Sequence, residues 1–281
     1  MSVSVSMSTD DVENEVLAIS IVRRALEDAA SLTARHIEDK RAAIAFSGGL
    51  DSSILASLLD VPLVSIALEG SRDEQWVGRA ASLLGARERT TIHVVGIEEV
   101  QRALCEVVGM LDTSSVLDVS IALPLYMLAQ RAEGTDVLIT GQGADELFGG
   151  YKRYEDAEDV GECMQCDLNE LLQRGIHRDK KVAAAWGIAL EAPYLSPPII
   201  EAAQRISPEL KLKRVGGEVI RKYVLRCAAL QYVPEEIAWR KKHALQYSTG
   251  LMRAISRLAS MHGFTRGTPM RLSRYLETLR G

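Results

Sequence analysis

Residues 44–53 read IAFSGGLDSS, and this stretch decides how the rest of the chain is interpreted. A short apolar run typical of a buried strand stops at two glycines, and a helix is expected to follow. Backbone N–H groups are unpaired at the start of a helix, and glycines let a ligand approach them closely. The helix dipole adds a preference for negative charge. The stretch therefore predicts a phosphate-binding turn between a strand and a helix.

The residue types in this turn indicate which phosphate it binds. No lysine follows the glycines, so the turn is not a Walker A loop. Its N–H groups and the hydroxyls of Ser47 and Ser52 are suited to a pyrophosphate. Asp51 would repel a phosphate unless a cation lies between them, so its carboxylate predicts a bound Mg²⁺.

A second glycine-rich turn, TGQGADELFGGY, occupies residues 140–151. Asp145 in this turn is a candidate for a second carboxylate on the same magnesium, because one Mg²⁺ needs only one or two protein carboxylates when phosphates fill its other positions. The alternative is that Asp145 and Glu146 only stabilise the start of a helix.

Apolar runs alternate with helical patterns through the first half of the chain. Strands are expected at 42–46, 63–68, 90–95 and 136–140, and helices at 11–37, 52–59, 74–84, 97–108 and 118–133, with Pro124 starting or kinking the last. This order predicts an α/β fold in which helices cover both faces of a parallel sheet. Because ligands bind beyond the carboxyl ends of such strands, both glycine-rich turns should lie on one rim.

The expected domain organisation follows from where the strand patterns stop. No strand is expected after about residue 155, and prolines interrupt the helical patterns that follow. We therefore predict a flexible tip at 1–15, an α/β core at 16–155, and a mainly helical segment at 156–281 of the same domain.

Composition indicates a globular protein, with 47% hydrophobic and 25% charged residues. No apolar run approaches the roughly 18 to 20 residues that a membrane span needs, and the N-terminus lacks the pattern of a signal peptide. A cytoplasmic location without a membrane partner is expected.

The net charge of -5 conceals an asymmetry, because residues 201–281 contain 16 Lys and Arg against 6 Glu. This gives +10 for that part and leaves -15 for residues 1–200. Two interpretations stay open: charge balance around a triphosphate site, or a surface that binds RNA.

Cys163 and Cys166 form a CxxC motif within a helical pattern. No second cysteine pair or histidine stands at zinc-site spacing, so ordinary helical cysteines are expected, with redox or metal chemistry as the alternative.

SGGLDSS followed by GQGADELFGGY resembles the ATP-pyrophosphatase loop and the second signature of the asparagine synthetase family, in its synthetase domain. The similarity continues through SIALEGSRDE at 65–74, RDKKVAAAWGIALEAPYLS at 178–196 and PEEIAWRKK at 234–242. This resemblance implies a fold like that of the adenine nucleotide alpha hydrolases, with ATP and Mg²⁺ as cofactors.

The resemblance also implies a reaction and its residues. A substrate carboxylate attacks the α-phosphorus of ATP, pyrophosphate leaves, and ammonia or an amine then displaces AMP. ATP binding is implied for Phe46, Ser47, Gly48, Gly49, Leu50, Asp51, Ser52, Ile66, Thr140 and Gly141. Asp51 and Asp145 are implied as magnesium ligands, and Lys242 matches the family's catalytic lysine.

Several positions depart from the family pattern. Ser2 stands where full-length members have a nucleophilic cysteine, and fewer than about 45 residues precede the phosphate loop. Glutamine hydrolysis is therefore not expected of this chain, and the nitrogen donor would be ammonia, a separate glutaminase partner or an amine. Gln142 replaces a glutamate and cannot act as a general base.

Other departures concern the substrate. Ala189, Glu191 and Ser196 stand where the family tends to have Glu, Arg and Asp, which argues against aspartate as the carboxylate. The leading hypothesis is an adenylating amide ligase acting on a small carboxylate. The alternatives are a tRNA-modifying enzyme with the same loop, for which the case is weaker, and a non-catalytic ATP-binding protein.

Overall fold

In the computed structural model, residues 12–241, 250–265, 267 and 269–280 are described. The main sheet has five parallel strands in the order β3-β2-β1-β4-β5. Its strands are Ala42–Ala45 (β1), Leu63–Leu68 (β2), Thr90–Val95 (β3), Val137–Ile139 (β4) and Ala189–Glu191 (β5). Residues Ala42 and Ile44 of β1 pair with Val137 and Ile139 of β4, and Ile44 also pairs with Leu63 of β2. The predicted α/β fold with a parallel sheet is confirmed.

The helices cover both faces of this sheet, as predicted. In the first half they are Glu15–His36 (α1), Leu50–Leu58 (α2), Arg72–Leu83 (α3), Ile97–Leu111 (α4), Val116–Arg131 (α5) and Ala144–Phe148 (α6). Those that follow are Val160–Glu170 (α7), Ile176–Ala184 (α8), Pro197–Arg205 (α9), Pro208–Lys211 (α10), Tyr223–Ala229 (α11), Glu235–Ala238 (α12), Leu251–Met261 (α13) and Arg271–Glu277 (α14). Pro124 lies inside α5 rather than at its start.

Two buried apolar layers hold the helices on the sheet. One layer contains side chains from α1, α2, α3, α9 and α11, and the other contains side chains from α4, α5, α8, α13 and α14. Each fully buried Leu or Ile in these layers contributes about 1.5–3 kcal/mol relative to exposure. Both layers combine residues from before and after residue 155, so the C-terminal helices are part of the packing of the sheet.

The expectation of no strand after residue 155 is wrong. β5 adds to the main sheet, and Leu212–Val215 (β6) and Glu218–Arg221 (β7) form an antiparallel hairpin. β5 has three residues, which is too short to show a pattern. The hairpin sequence LKRVGGEVIR is rich in charged residues, but Gly216 and Gly217, both with positive φ, form the tight turn that marks it.

No single helix in the described ranges is long and apolar enough to cross a membrane. The pair α4 and α5 meets that test jointly but bends by 119° between its two helices. The CxxC cysteines lie on α7 as predicted, and the described residues contain no group of three or more His, Cys, Asp or Glu side chains arranged to hold a metal.

Candidate active site

The first glycine-rich turn links β1 to α2 and is held by side chains rather than by regular backbone pairing. The Ser52 hydroxyl accepts a hydrogen bond from the Ser47 N–H at 3.2 Å and lies 3.1 Å from the Ser47 hydroxyl. Gly48 has a φ of +66°, and a Cβ there would lie 2.9 Å from Nε1 of Trp76. That indole nitrogen donates to the Gly48 carbonyl at 2.8 Å. Glycine is therefore required at this position by both conformation and space.

The second glycine-rich turn follows β4 and touches the first, since β1 and β4 are neighbours in the sheet. A Cβ on Gly141 would lie 3.1 Å from Cβ of Asp51. The prediction that the two turns share one rim is thus confirmed. The Thr140 hydroxyl is buried in this junction and has no hydrogen-bond partner among the described residues.

Lys222 joins the two turns electrostatically. Its Nζ donates to Oδ1 of Asp51 at 2.7 Å and forms an ion pair with Oδ1 of Asp145 at 2.8 Å. The whole lysine is only 1% exposed. Burial by itself lowers the pKa of Lys222, but Asp145 and Asp51 outweigh this, and the pKa is raised overall. The site therefore holds an ammonium between two carboxylates at the rim.

The backbone around Lys222 and Asp145 is built for this close approach. Lys222 has a φ of +56° and precedes the first residue of α11, directly after β7. At Gly150, an added Cβ would lie 1.7 Å from Oδ1 of Asp145 and 2.6 Å from Cε of Lys222. A side chain at Gly150 would therefore displace both charged groups.

A buried acid lies next to Asp145. Burial raises the pKa of Glu146, and the neighbouring Asp145 carboxylate raises it further. The Tyr151 hydroxyl donates to Oε1 of Glu146 at 2.6 Å, and its own pKa is raised by burial and by this acidic environment. The Glu146–Tyr151 pair stabilises the short helix α6 that carries Asp145.

Gln142 belongs to a separate polar chain at the same rim. Its Nε2 donates to Oδ2 of Asp179, and Arg178 donates to both oxygens of Asp179, at 2.7 and 3.1 Å. Arg178 also donates to Asp118 at 2.9 Å. An ionised carboxylate only accepts hydrogen bonds, so Asp179 fixes the Gln142 side chain with its NH₂ group toward Asp179. The Gln142 Oε1 is buried and without a partner in the described part of the chain.

A family model described as asparagine synthase matches residues 22–160 and 155–261, which together make up most of the chain. The chain belongs to the asparagine synthase family. The match includes both glycine-rich turns, Gln142, Arg178 and Lys222.

Individual relatives agree with this assignment to the asparagine synthase family. A protein of Methanocaldococcus jannaschii named as a glutamine-hydrolyzing asparagine synthetase is 28% identical over 297 residues, 92% of this chain and 54% of that protein. Asparagine synthetase B of Escherichia coli is 28% identical over 86% of this chain and 47% of its own length. An asparagine synthetase of Schizosaccharomyces pombe is 31% identical over 82% and 47%. The chain thus spans about half the length of the curated relatives it matches.

The structure brings together most of the positions predicted for this asparagine synthase family member. Ser47, Gly48, Gly49, Thr140 and Gly141 lie in the two touching turns. Leu50, Asp51 and Ser52 form the start of α2, and Asp145 lies on α6. Phe46 and Ile66 are buried in opposite core layers, so their backbones rather than their side chains are the groups available to a ligand at the rim.

The role of catalytic lysine was assigned to Lys242 from the family resemblance, and this assignment stays a prediction. Lys242 lies outside the described residues. Arg240, two positions earlier, stacks on Trp76 at 4.0 Å, and Trp76 is the side chain that holds Gly48. The sequence analysis missed Lys222, because a lysine in the basic stretch before α11 looks like a solvated residue. The signal available was its position immediately before an apolar helix.

Proposed function

We propose that the chain is an ATP-dependent amide-forming ligase that adenylates a carboxylate and then transfers the acyl group to ammonia or an amine. The observation that carries this proposal is the Lys222 ammonium held at 2.7 and 2.8 Å from Asp51 and Asp145, beside a glycine-rich turn. Membership of the asparagine synthase family supports it. We further propose that the protein acts in the cytoplasm, where ATP is abundant.

In the first step, a carboxylate oxygen attacks the α-phosphorus of ATP. The bond from that phosphorus to the oxygen of the β-phosphate breaks, and pyrophosphate leaves. The N–H groups of Ser47 and Gly49 donate to the hydroxyls of Ser52 and Ser47. The N–H groups in the first turn of α2 and the Lys222 ammonium would therefore stabilise the negative charge on the departing pyrophosphate. Lys222 supplies this charge from a fixed position, because its side chain is buried between two carboxylates.

The residue types at the rim fit a magnesium ion, because hard carboxylate oxygens are the protein ligands that Mg²⁺ prefers. Oδ1 of Asp51 and Oδ1 of Asp145 both contact Nζ of Lys222, so the ion would lie beside the ammonium rather than at the point where these two oxygens meet. We propose that these two carboxylates hold Mg²⁺ together with phosphate oxygens. When bound, the ion would neutralise charge on the phosphates.

In the second step, the nitrogen attacks the acyl carbon, the bond to the AMP oxygen breaks, and the nitrogen loses a proton. Gln142 cannot accept that proton, but its Oε1 is a fixed acceptor without a partner in the described residues. We propose that Gln142 orients the nitrogen nucleophile. Lys242 stays a candidate for the cation that stabilises charge on the reacting oxygens.

The test is AMP and pyrophosphate formation by the purified chain with ATP, Mg²⁺ and a panel of carboxylates, with ammonia or amines. We expect product with at least one carboxylate, and a loss of about 100-fold or more in Lys222→Met and Asp51→Asn, as when a charge-stabilising group is removed. Asp60→Asn, at a fully exposed side chain away from the rim, is the control. Unchanged ATP binding in Asp51→Asn, together with no AMP from any carboxylate, would refute the proposal.

A further inference from the structure

A groove lined by three arginines runs along helix α13. It consists of two adjoining cavities, of about 320 Å³ and about 250 Å³, which share Arg253 and Arg257. The larger cavity reaches the turns that follow β2 and β3, at Glu69–Ser71 and Gly96–Ile97. The smaller one ends at Arg271 on α14. No residue of the two glycine-rich turns lines either cavity, although the larger cavity begins at Leu68, two residues after the predicted ATP-binding position Ile66.

The positive charge in this groove is not balanced within the described chain. Arg253 and Arg257 are exposed, lie one helical turn apart, and form no ion pair with the described residues. Arg271 donates to the Phe264 carbonyl at 2.6 Å and to the Ser256 hydroxyl at 3.0 Å. Because these partners are neutral, they fix the guanidinium without cancelling its charge.

The other groups around the groove narrow the type of ligand. The N–H of Gly70 donates to Glu74 and that of Gly96 donates to Glu99, both at 3.0 Å, so these turns have already used these donors. The groove's hydrogen-bond donors for an anion are therefore mainly Arg253 and Arg257. Glu69 is the single carboxylate among the residues that line the two cavities in the described chain.

We propose that this groove binds a small phosphorylated molecule, with its phosphate on Arg253 and Arg257. A phosphate carries up to two negative charges, and the planar guanidinium group matches its oxygens with paired hydrogen bonds. The larger cavity has room for more than a phosphate, and Leu68, Ile97 and Ala254 give it apolar walls for an organic portion. The basic C-terminal part of the sequence thus has a local binding role.

The experiment is equilibrium dialysis of labelled inorganic phosphate against the full chain at constant ionic strength. Arg253→Gln/Arg257→Gln removes both charges while keeping a polar side chain on an aliphatic stem, and Arg274→Gln on α14 changes a matched exposed arginine outside the groove. We expect the double variant to bind one phosphate fewer per chain, or to bind it at least about tenfold more weakly, as the loss of charged hydrogen bonds implies. Arg274→Gln should match the wild type. Any phosphate held at the glycine-rich turn is common to all three proteins and cancels in the comparison.

Two results would overturn the proposal. Equal phosphate binding by the wild type and the double variant would show that the groove is not a phosphate site. A 20-nucleotide single-stranded RNA that loses binding in the double variant, while phosphate binding is unchanged, would assign the surface to nucleic acid instead. Thermal unfolding of each variant checks the fold, and Arg257→Gln alone serves if the double variant does not fold.

Discussion

At the scale of single residues, the ammonium of Lys222 is buried, and neighbouring carboxylates compensate for its loss of hydration. A buried ammonium is costly unless it is paired and hydrogen-bonded, and Lys222 meets that condition through Asp51 and Asp145. The same three charges form the proposed pyrophosphate site. Stability and the proposed chemistry therefore rest on one cluster.

Replacing this lysine should destabilise the fold. Lys222→Met leaves the two carboxylates without the ammonium in a buried setting, and we expect a loss of about 3–5 kcal/mol in the free energy of unfolding. Urea denaturation at neutral pH measures it. Lys213→Met is the control, because Lys213 is about one-third exposed and bonds Glu15 and Tyr223 at the surface, where a loss of about 1 kcal/mol or less is expected. Equal losses in the two variants would contradict this account.

Sequence reasoning found the carboxylates of this cluster but not its cation. Asp51 and Asp145 stand in glycine-rich signatures whose local geometry is set by short-range rules. Lys222 reaches them from 171 residues beyond Asp51, and only the packing of the β6–β7 hairpin places it there. For Gln142 the residue type showed what it cannot do, whereas its orientation by Asp179 required the structure.

At the scale of elements, short turns place the charged groups and glycines make the close approaches. The segment from α6 to the Lys222 backbone is packed so tightly that Gly150 has no space for a methyl group. Strand β4 in turn depends on pairing with β1, which begins at an ion pair between Arg41 and Asp136.

The crowding at Gly150 makes a directional prediction. In Gly150→Ala the new methyl group would overlap the Asp145 carboxylate, so we expect a loss of about 1–3 kcal/mol in stability and weaker ATP binding. Gly109→Ala is the control, since a Cβ at Gly109, in the last turn of α4, meets nothing within 4 Å. That variant should be more stable by about 0.5–1 kcal/mol. Denaturation midpoints measure the change in stability of each variant, and nucleotide titrations measure its ATP affinity. If Gly150→Ala changed neither quantity, the prediction would be refuted.

The start of the β1–β4 pairing should respond to acid. Hydrogen bonds from the Arg41 side chain and backbone N–H hold the pKa of Asp136 at about 2, below its ordinary value of 3.8. A depressed pKa contributes stability that is present above the ordinary value and is lost as the pH falls through the folded value. Asp136→Asn should therefore flatten the decline in stability between about pH 4 and pH 2. If the pH dependence of stability, followed by circular dichroism, were the same in Asp136→Asn and the wild type, the result would contradict a stabilising ion pair.

The elements predicted from the sequence were those with strong local patterns. β2 and β3 were predicted with the bounds that the structure shows, because both are six residues long and contain β-branched side chains. β5, β6 and β7 were missed, because each contains a charged residue, whereas the equally short β1 and β4 consist of apolar residues alone. Their pairing comes from the tertiary structure.

At the scale of the whole molecule, the two core layers connect the N-terminal sheet to the C-terminal helices. Tyr275 and Leu276 on α14 are fully buried in the same layer as α4 and α5. The boundary predicted near residue 155 stays a prediction, and because both layers contain residues from either side of it, we propose that the two parts unfold together.

A substitution near the C-terminus tests this cooperativity. Tyr275→Ala should lower the free energy of unfolding by about 3–5 kcal/mol and shift the whole transition. Tyr275→Phe should be neutral or stabilising, because the Tyr275 hydroxyl is buried without a partner in the described residues. Far-ultraviolet circular dichroism and tryptophan fluorescence should report coincident transitions. A sheet signal that survives loss of α14 would show that the two parts unfold separately.

The ion pairs of Lys222 with Asp51 and Asp145 form late in the synthesis of the chain. Ribosomes synthesise a chain from its N-terminus to its C-terminus, so Asp51 and Asp145 leave the ribosome before Lys222 does. A contact that closes 171 residues of chain forms late, since its loop entropy must be overcome after local structure is in place. Both carboxylates are therefore present while the 77 residues from 146 to 222 are added (222 − 145 = 77), and the ion pairs form only when the β6–β7 hairpin and α11 join the sheet.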